Sequence, residues 1–170
     1  MNAGDKAETF KTKGPQRLAD DHAALDALLK QLHAALDHGD AGVTYARLDL
    51  FWAKLAVHIR AEHLHLFPCL LNVEAEVIER LREDHEFFMR QLASAIETMR
   101  TGQGLDAVKE MIMEVERRLA NHNHVEETNI YQLAGTVLNS EELAELSQRI
   151  CSELEKRPSR FTAETWALPG

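Results

Sequence analysis

The chain has 170 residues, 45% hydrophobic and 28% charged, with a formal net charge of −9. That length suits one domain with a sizeable core, and that charge argues against nucleic acid or an anionic membrane surface as a partner. Cys69 and Cys151 form no C-x-x-C pair and no disulfide framework, the first residues lack the apolar core of a signal peptide, and no apolar run is long enough to span a membrane, so a cytoplasmic location is expected.

Residues 1–14 are polar and run into Gly14-Pro15, which reads as a flexible N-terminal lead. From Gln16 the pattern is helical: Leu18, His22, Leu25, Leu29, Leu32 and Leu36 recur at three- and four-residue steps. Gly39-Asp40-Ala41-Gly42 ends this helix. A second helix is expected from about Thr44, with Leu48, Phe51, Leu55, His58, Glu62 and Leu66 inward, kinked or stopped at Pro68 because proline lacks the backbone donor. A third runs from about Glu74 to Arg100, with Ile78, Leu81, His85, Phe88, Leu92 and Met99 inward. After the turn at Thr101–Gly104, a fourth carries Val108, Met111, Val115, Leu119, His122, Glu126 and Leu133 and stops by Gly135. Asn139 with Glu142 is a helix-start signature, and a fifth helix should reach about Lys156. Phe161 and Trp166 lie in the tail beyond it.

No segment alternates with period two over the length of a strand. Long helices with short connections make antiparallel neighbours. The expected fold is therefore all-α, an antiparallel up-down four-helix bundle over residues 15–136, with residues 137–170 as a C-terminal helix and tail.

The informative residues are the repeated ones. His58-Ile-Arg-Ala-Glu62 and His122-Asn-His-Val-Glu126 share the pattern His-x-x-x-Glu, and the matched pairs His58/His122, Glu62/Glu126 and Phe67/Tyr131 all stand 64 residues apart. Residues four apart share a helix face, so each copy presents an imidazole and a carboxylate together. His22 and His85 add a second repeat, each on the helix before a His-x-x-x-Glu helix and 63 residues apart. Two hairpins related by a pseudo-two-fold axis would thus bring together His22, His58, Glu62, His85, His122 and Glu126. A carboxylate on a core-facing stripe is costly unless it is paired or metal-bound, and no Lys or Arg shares these stripes within a turn of Glu62 or Glu126. The set is expected to bind a pair of metal ions. Mixed nitrogen and oxygen ligation suits iron and also admits manganese or zinc. Without metal, like charge and burial should push both glutamates upward in pKa. His63, His65, His124 and Glu127 are expected off the inward face, facing solvent or standing behind the ligands. Asp26, four residues after His22, is placed to orient its imidazole. The inward Met and aromatic residues read as core.

At these residues the chain resembles the hemerythrin-like family, whose pattern is a His on the first helix, H-x-x-x-E on the second, a His on the third and H-x-x-x-E on the fourth. The resemblance covers roughly residues 16–135, and Leu66-Phe67-Pro68 also matches a family feature. It implies a non-haem di-iron centre, two iron ions joined by the carboxylates and an oxo or hydroxo bridge. It implies dioxygen, peroxide or nitric oxide as ligand, and a sensor or stress-response role. Oxygen-carrying members have a further His on the third helix where this chain has Met89, which points away from reversible oxygen carriage. The alternatives are a peroxide-consuming or oxidase-type di-iron enzyme, or a relative of iron–sulfur cluster repair proteins. Ferritin-type bundles use E-x-x-H on two helices, and Glu62-x-x-His65 supplies the pattern only once. A protein partner or a homodimer is left open.

Overall fold

A computed structural model describes residues 13–156. The first twelve residues of the expected lead, and the tail with Phe161 and Trp166, lie outside the described residues. Among the described residues six α-helices follow in order: α1 (Lys13–His38), α2 (Ala41–Ala61), α3 (Leu71–Arg100), α4 (Leu105–Val125), α5 (Tyr131–Val137) and α6 (Ser140–Leu154). A π turn at Glu62–Leu66 and a 3-10 turn at Phe67–Cys69 follow α2, and a π turn at Glu126–Ile130 joins α4 to α5. Among the described residues there is no strand.

The local signals behave as their chemistry requires. Gly39 adopts a positive φ of 72° just past α1, the left-handed conformation that closes a helix. Asp40 caps α2 by accepting from the Val43 N–H. Asn139 and Glu142 form the reciprocal capping box of α6. Several boundaries differ from the sequence expectation: α2 begins at Ala41 and not at about Thr44, and α5 runs past Gly135 to Val137. Lys13 and Gly14 already belong to α1. The helix after Pro68 begins at Leu71 and is kinked at Glu74, at φ −135° and ψ 46°, so the expected start at Glu74 marks the kink.

The four helix rods pack in a ring: α1 on α2, α2 on α3, α3 on α4 and α4 back on α1, with α6 laid over α1, α2 and the first π turn. The inward stripes are the buried ones, except that Met99, Met111 and Leu133 are only partly covered and Ile112 takes the fully buried place beside Met111. Two apolar clusters result. One holds Leu25, Leu32, Phe51, Leu55, Phe88, Leu92 and Leu119; the other holds Leu18, Leu66, Phe67, Leu81, Tyr131, Leu143 and Ile150. Along each rod the histidines and glutamates of the repeat fall between these clusters, as a polar layer across a dry core.

Helix α6 is held close. A Cβ built on Gly14 would stand 2.8 Å from the Ser147 Cα and 2.8 Å from its Oγ. Gly14→Ala must therefore push α1 and α6 apart. Overpacking of this kind costs about 1–3 kcal/mol, more than the ~1 kcal/mol that alanine gains in a helix. The expected result is a lower urea midpoint for Gly14→Ala; an unchanged or higher midpoint would contradict this packing.

Candidate metal centre

All six residues of the repeat come together. His22, His58, His85 and His122 are 3, 2, 1 and 2% exposed, and Glu62 and Glu126 are fully buried. The histidines form two pairs. His22 Nε2 lies 3.1 Å from His58 Nε2, and His85 Nε2 lies 2.9 Å from His122 Nε2. Glu126 stands between the pairs: its Oε2 is 3.2 Å from His22 Nε2, and its Oε1 is 2.9 Å from His122 Nε2 and 3.5 Å from His85 Nε2. Glu62 Oε1 is 3.2 Å from His58 Nε2 and 3.6 Å from His85 Nε2. Cis donors on an octahedral ion with bonds of about 2.1 Å stand roughly 3 Å apart, which is the spacing found here. His22, His58 and Glu126 form one group able to hold an ion, and His85, His122 and Glu126 form another.

The far side of every ring is tied. His22 Nδ1 bonds Glu127 at 2.8 Å, His58 Nδ1 bonds Asp21 at 2.8 Å, and His122 Nδ1 bonds Asp84 at 3.0 Å. His85 Nδ1 lies 2.7 Å from His63 Nε2. A neutral ring that donates through Nδ1 keeps its Nε2 lone pair. Four lone pairs then point inward, beside Glu62 Oε1 and Glu126 Oε1, which are buried and accept no hydrogen bond. Electron-rich atoms packed this closely repel one another unless cations or protons lie among them.

These outer partners revise the sequence reading in part. Glu127, not the exposed Asp26, holds His22. His63 is buried and stands behind His85, one of the two places expected for it. His65 is turned away to Glu153, at 3.3 Å, and His124 is exposed. Asp21 and Asp84 carry a sequence signal of their own: each immediately precedes a repeat histidine, and they too are 63 residues apart.

In the metal-free chain, protons take the place of cations. Burial opposes charge on His58, but Glu62, Asp21 and Glu126 outweigh it and raise its pKa to about 10. Burial likewise opposes charge on His122, yet Glu126 and Asp84 lift it to about 9. His85 goes the other way, to about 4, through burial and the neighbouring His122. The two glutamates do not move together as expected. Burial and the charge of Glu126 push Glu62 up to about 7. Burial also acts to raise Glu126, but His122, His22 and His85 overcome it and hold this carboxyl well below the usual range. The imidazoles gather around Glu126, so it keeps the charge and Glu62 takes the proton.

The two π turns begin at Glu62 and Glu126. In each, the glutamate carbonyl accepts from the N–H five residues on, that of Phe67 or Tyr131. In an α-helix the fifth residue would point about 140° away from the glutamate. The wider turn absorbs one residue and brings it back toward the centre, as π turns at functional sites do. Phe67 thereby stacks on His85, with centroids 5.9 Å apart and planes at 7°. The Tyr131 hydroxyl reaches into the cluster, 3.1 Å from each of His22 Nε2, Glu62 Oε2 and Glu126 Oε2. The repeat arithmetic aligned Tyr131 with Phe67 but gave no reason to place it at the centre.

The family model of the hemerythrin HHE cation binding domain matches residues 14–134. The chain belongs to this family. No curated protein and no solved structure gives a match. Within this hemerythrin-family centre, Met89 is 1% exposed and packs in the core on the third helix. Phe88 sets its ring edge-on to His122, at 5.2 Å and 89°. The His85/His122 half is thus walled by Phe67 and Phe88. The other half is closer to solvent: cavities of about 500 and 650 Å³ reach His22 and Tyr131, and both are lined by Ala19 and Glu127.

Proposed function

We propose that this hemerythrin-family chain is a non-haem di-iron protein that binds or reacts with dioxygen, peroxide or nitric oxide, as a cytoplasmic sensor or stress-response protein. In this reading His22, His58, Glu62, His85, His122 and Glu126 hold the two ions within an antiparallel up-down bundle, and the two glutamates are shared between them. One observation carries the reading: four inward Nε2 atoms and two buried glutamates, with every Nδ1 secured by a partner outside. The position of Glu126 between both histidine pairs supports a bridging role. Bound iron would supply the redox chemistry and the affinity for a diatomic ligand. The chain itself orients the imidazoles through Asp21, Asp84, Glu127 and His63. It keeps water from one half with Phe67 and Phe88, and the cavities beside Glu127 give small molecules a way in.

Protein purified from iron-replete cells and never exposed to chelator is expected to contain two iron atoms per chain. Its optical spectrum should change when the reduced protein meets oxygen or nitric oxide. Elemental analysis showing one metal or none would rule out a dinuclear centre. The clefts that reach His22 and Tyr131 are open to solvent, a route for an external reductant or peroxide, which favours one second reading, a peroxide-consuming or oxidase-type enzyme. Steady-state turnover with peroxide, or with oxygen and a reductant, separates it from a sensor.

A further inference from the structure

We infer that Tyr131 is a seventh protein ligand, binding the ion of the His22/His58 half through its phenolate oxygen, and that the two metal positions are therefore chemically unequal. The inference rests on the di-iron reading above and goes beyond its six residues.

The argument starts from donors and acceptors. The Tyr131 oxygen has three neighbours at 3.1 Å: His22 Nε2, Glu62 Oε2 and Glu126 Oε2. His22 gives its Nδ1 proton to Glu127, so its Nε2 is an acceptor. Both carboxylate oxygens are acceptors in the ionised state that metal binding requires. One hydroxyl proton cannot serve three acceptors. A cation among these atoms makes all of them useful at once, because the phenol oxygen is then a fourth donor at the same cis spacing. On binding, the phenol O–H bond breaks, the oxygen–metal bond forms, the proton leaves to solvent, and no electron moves.

The repeat shows why only one half receives this ligand. Residue 67 is the counterpart of residue 131, and there the chain has phenylalanine. Phe67 stacks against His85 and offers no donor atom. The outer partners differ in the same sense: anionic Glu127 backs His22, while His63 backs His85. Residues 63 and 127 are themselves counterparts, 64 apart. The His22/His58 half thus gathers the harder, more anionic donor set, and the His85/His122 half is left with fewer donors.

The test is spectroscopic. Metal-free protein is loaded anaerobically with a ferrous salt and then oxidised in air. A phenolate on ferric iron gives a visible charge-transfer band, and resonance Raman excitation in that band enhances the phenolate ring modes. The chain has only two tyrosines, and Tyr45 is half-buried, with its hydroxyl accepting from Arg100. Tyr45→Phe is expected to keep the band and the ring modes; Tyr131→Phe is expected to lose both completely while still binding iron. If Tyr131→Phe does not fold, Tyr45→Phe decides alone, since any phenolate mode it shows comes from Tyr131. Two irons per chain with no phenolate mode in the wild-type protein would overturn the inference and leave the di-iron reading intact. Modes that survive in Tyr131→Phe would also overturn it. A chain that takes up no iron defeats both.

Discussion

Glu126→Ala is expected to take the protein from two bound iron atoms per chain to none. Its two carboxylate oxygens face different histidine pairs, at 3.2 Å from His22 and 2.9 Å from His122. Alanine removes a donor from both positions and the anion that offsets both charges. The imidazoles left behind face each other at 3.1 and 2.9 Å with Glu62 as the one remaining carboxylate among them. Glu62→Ala should act in the same way, since Glu62 Oε1 lies between His58 and His85. Two controls share the same helices. His65→Ala should keep its iron because His65 bonds Glu153, and His124→Ala should keep it because His124 is exposed. Iron analysis alongside far-ultraviolet circular dichroism checks all four variants. Full iron in Glu126→Ala, or its complete loss from His124→Ala, would show the helical register to be wrong.

Removing the metal should lower the melting temperature by on the order of 10 °C at alkaline pH, and by less near pH 6. The reason is a competition between metal ions and protons. In the metal-free chain His58 titrates at about 10 and His122 at about 9, both above the usual imidazole value of about 6.5. A raised folded-state pKa gives stability that is complete below about 6.5 and is lost as pH climbs through 9 and 10. Glu62, raised to about 7, acts in the same direction, because its ionisation above the unfolded value destabilises the fold. Glu126, held low, opposes this only in acid. The metal-free protein should therefore weaken from neutral pH upward. The loaded protein should weaken downward, since each ion must displace protons from these groups. Thermal melts with and without chelator from pH 6 to 10 measure the gap. Equal melting temperatures across that range would show that metal is not coupled to folding.

Much of the centre is legible in the chain because the duplicated pattern fixes spacing and helical periodicity fixes facing. His58 and Glu62 share a face whatever surrounds them, and the copy at His122 and Glu126 shares it for the same reason. The apolar stripes around them also announce burial, and all of His22, His58, Glu62, His85, His122 and Glu126 are buried. The supports are less legible, since each joins residues far apart in sequence. Asp21 reaches His58 on the next helix, and Glu127 reaches His22 from 105 residues away. Periodicity describes one helix at a time and does not say which neighbour a side chain at the edge of a face will meet. Spacing along α1 makes Asp26 the natural partner for His22, and the π turn after α4 gives that place to Glu127.

By itself, the sequence determined an all-helical chain, its turn and cap positions, and the six residues that meet in its core. These follow from local spacing and from the cost of burying a carboxylate without a partner. Only the tertiary structure decided that helix winding loosens to π register at Glu62 and Glu126, because a side-chain pattern of period 3.6 carries no sign of a locally wider turn. That change of register brings Tyr131 into the cluster and Phe67 against His85. It sets the difference between the two copies, phenylalanine at 67 and tyrosine at 131, at the centre they share.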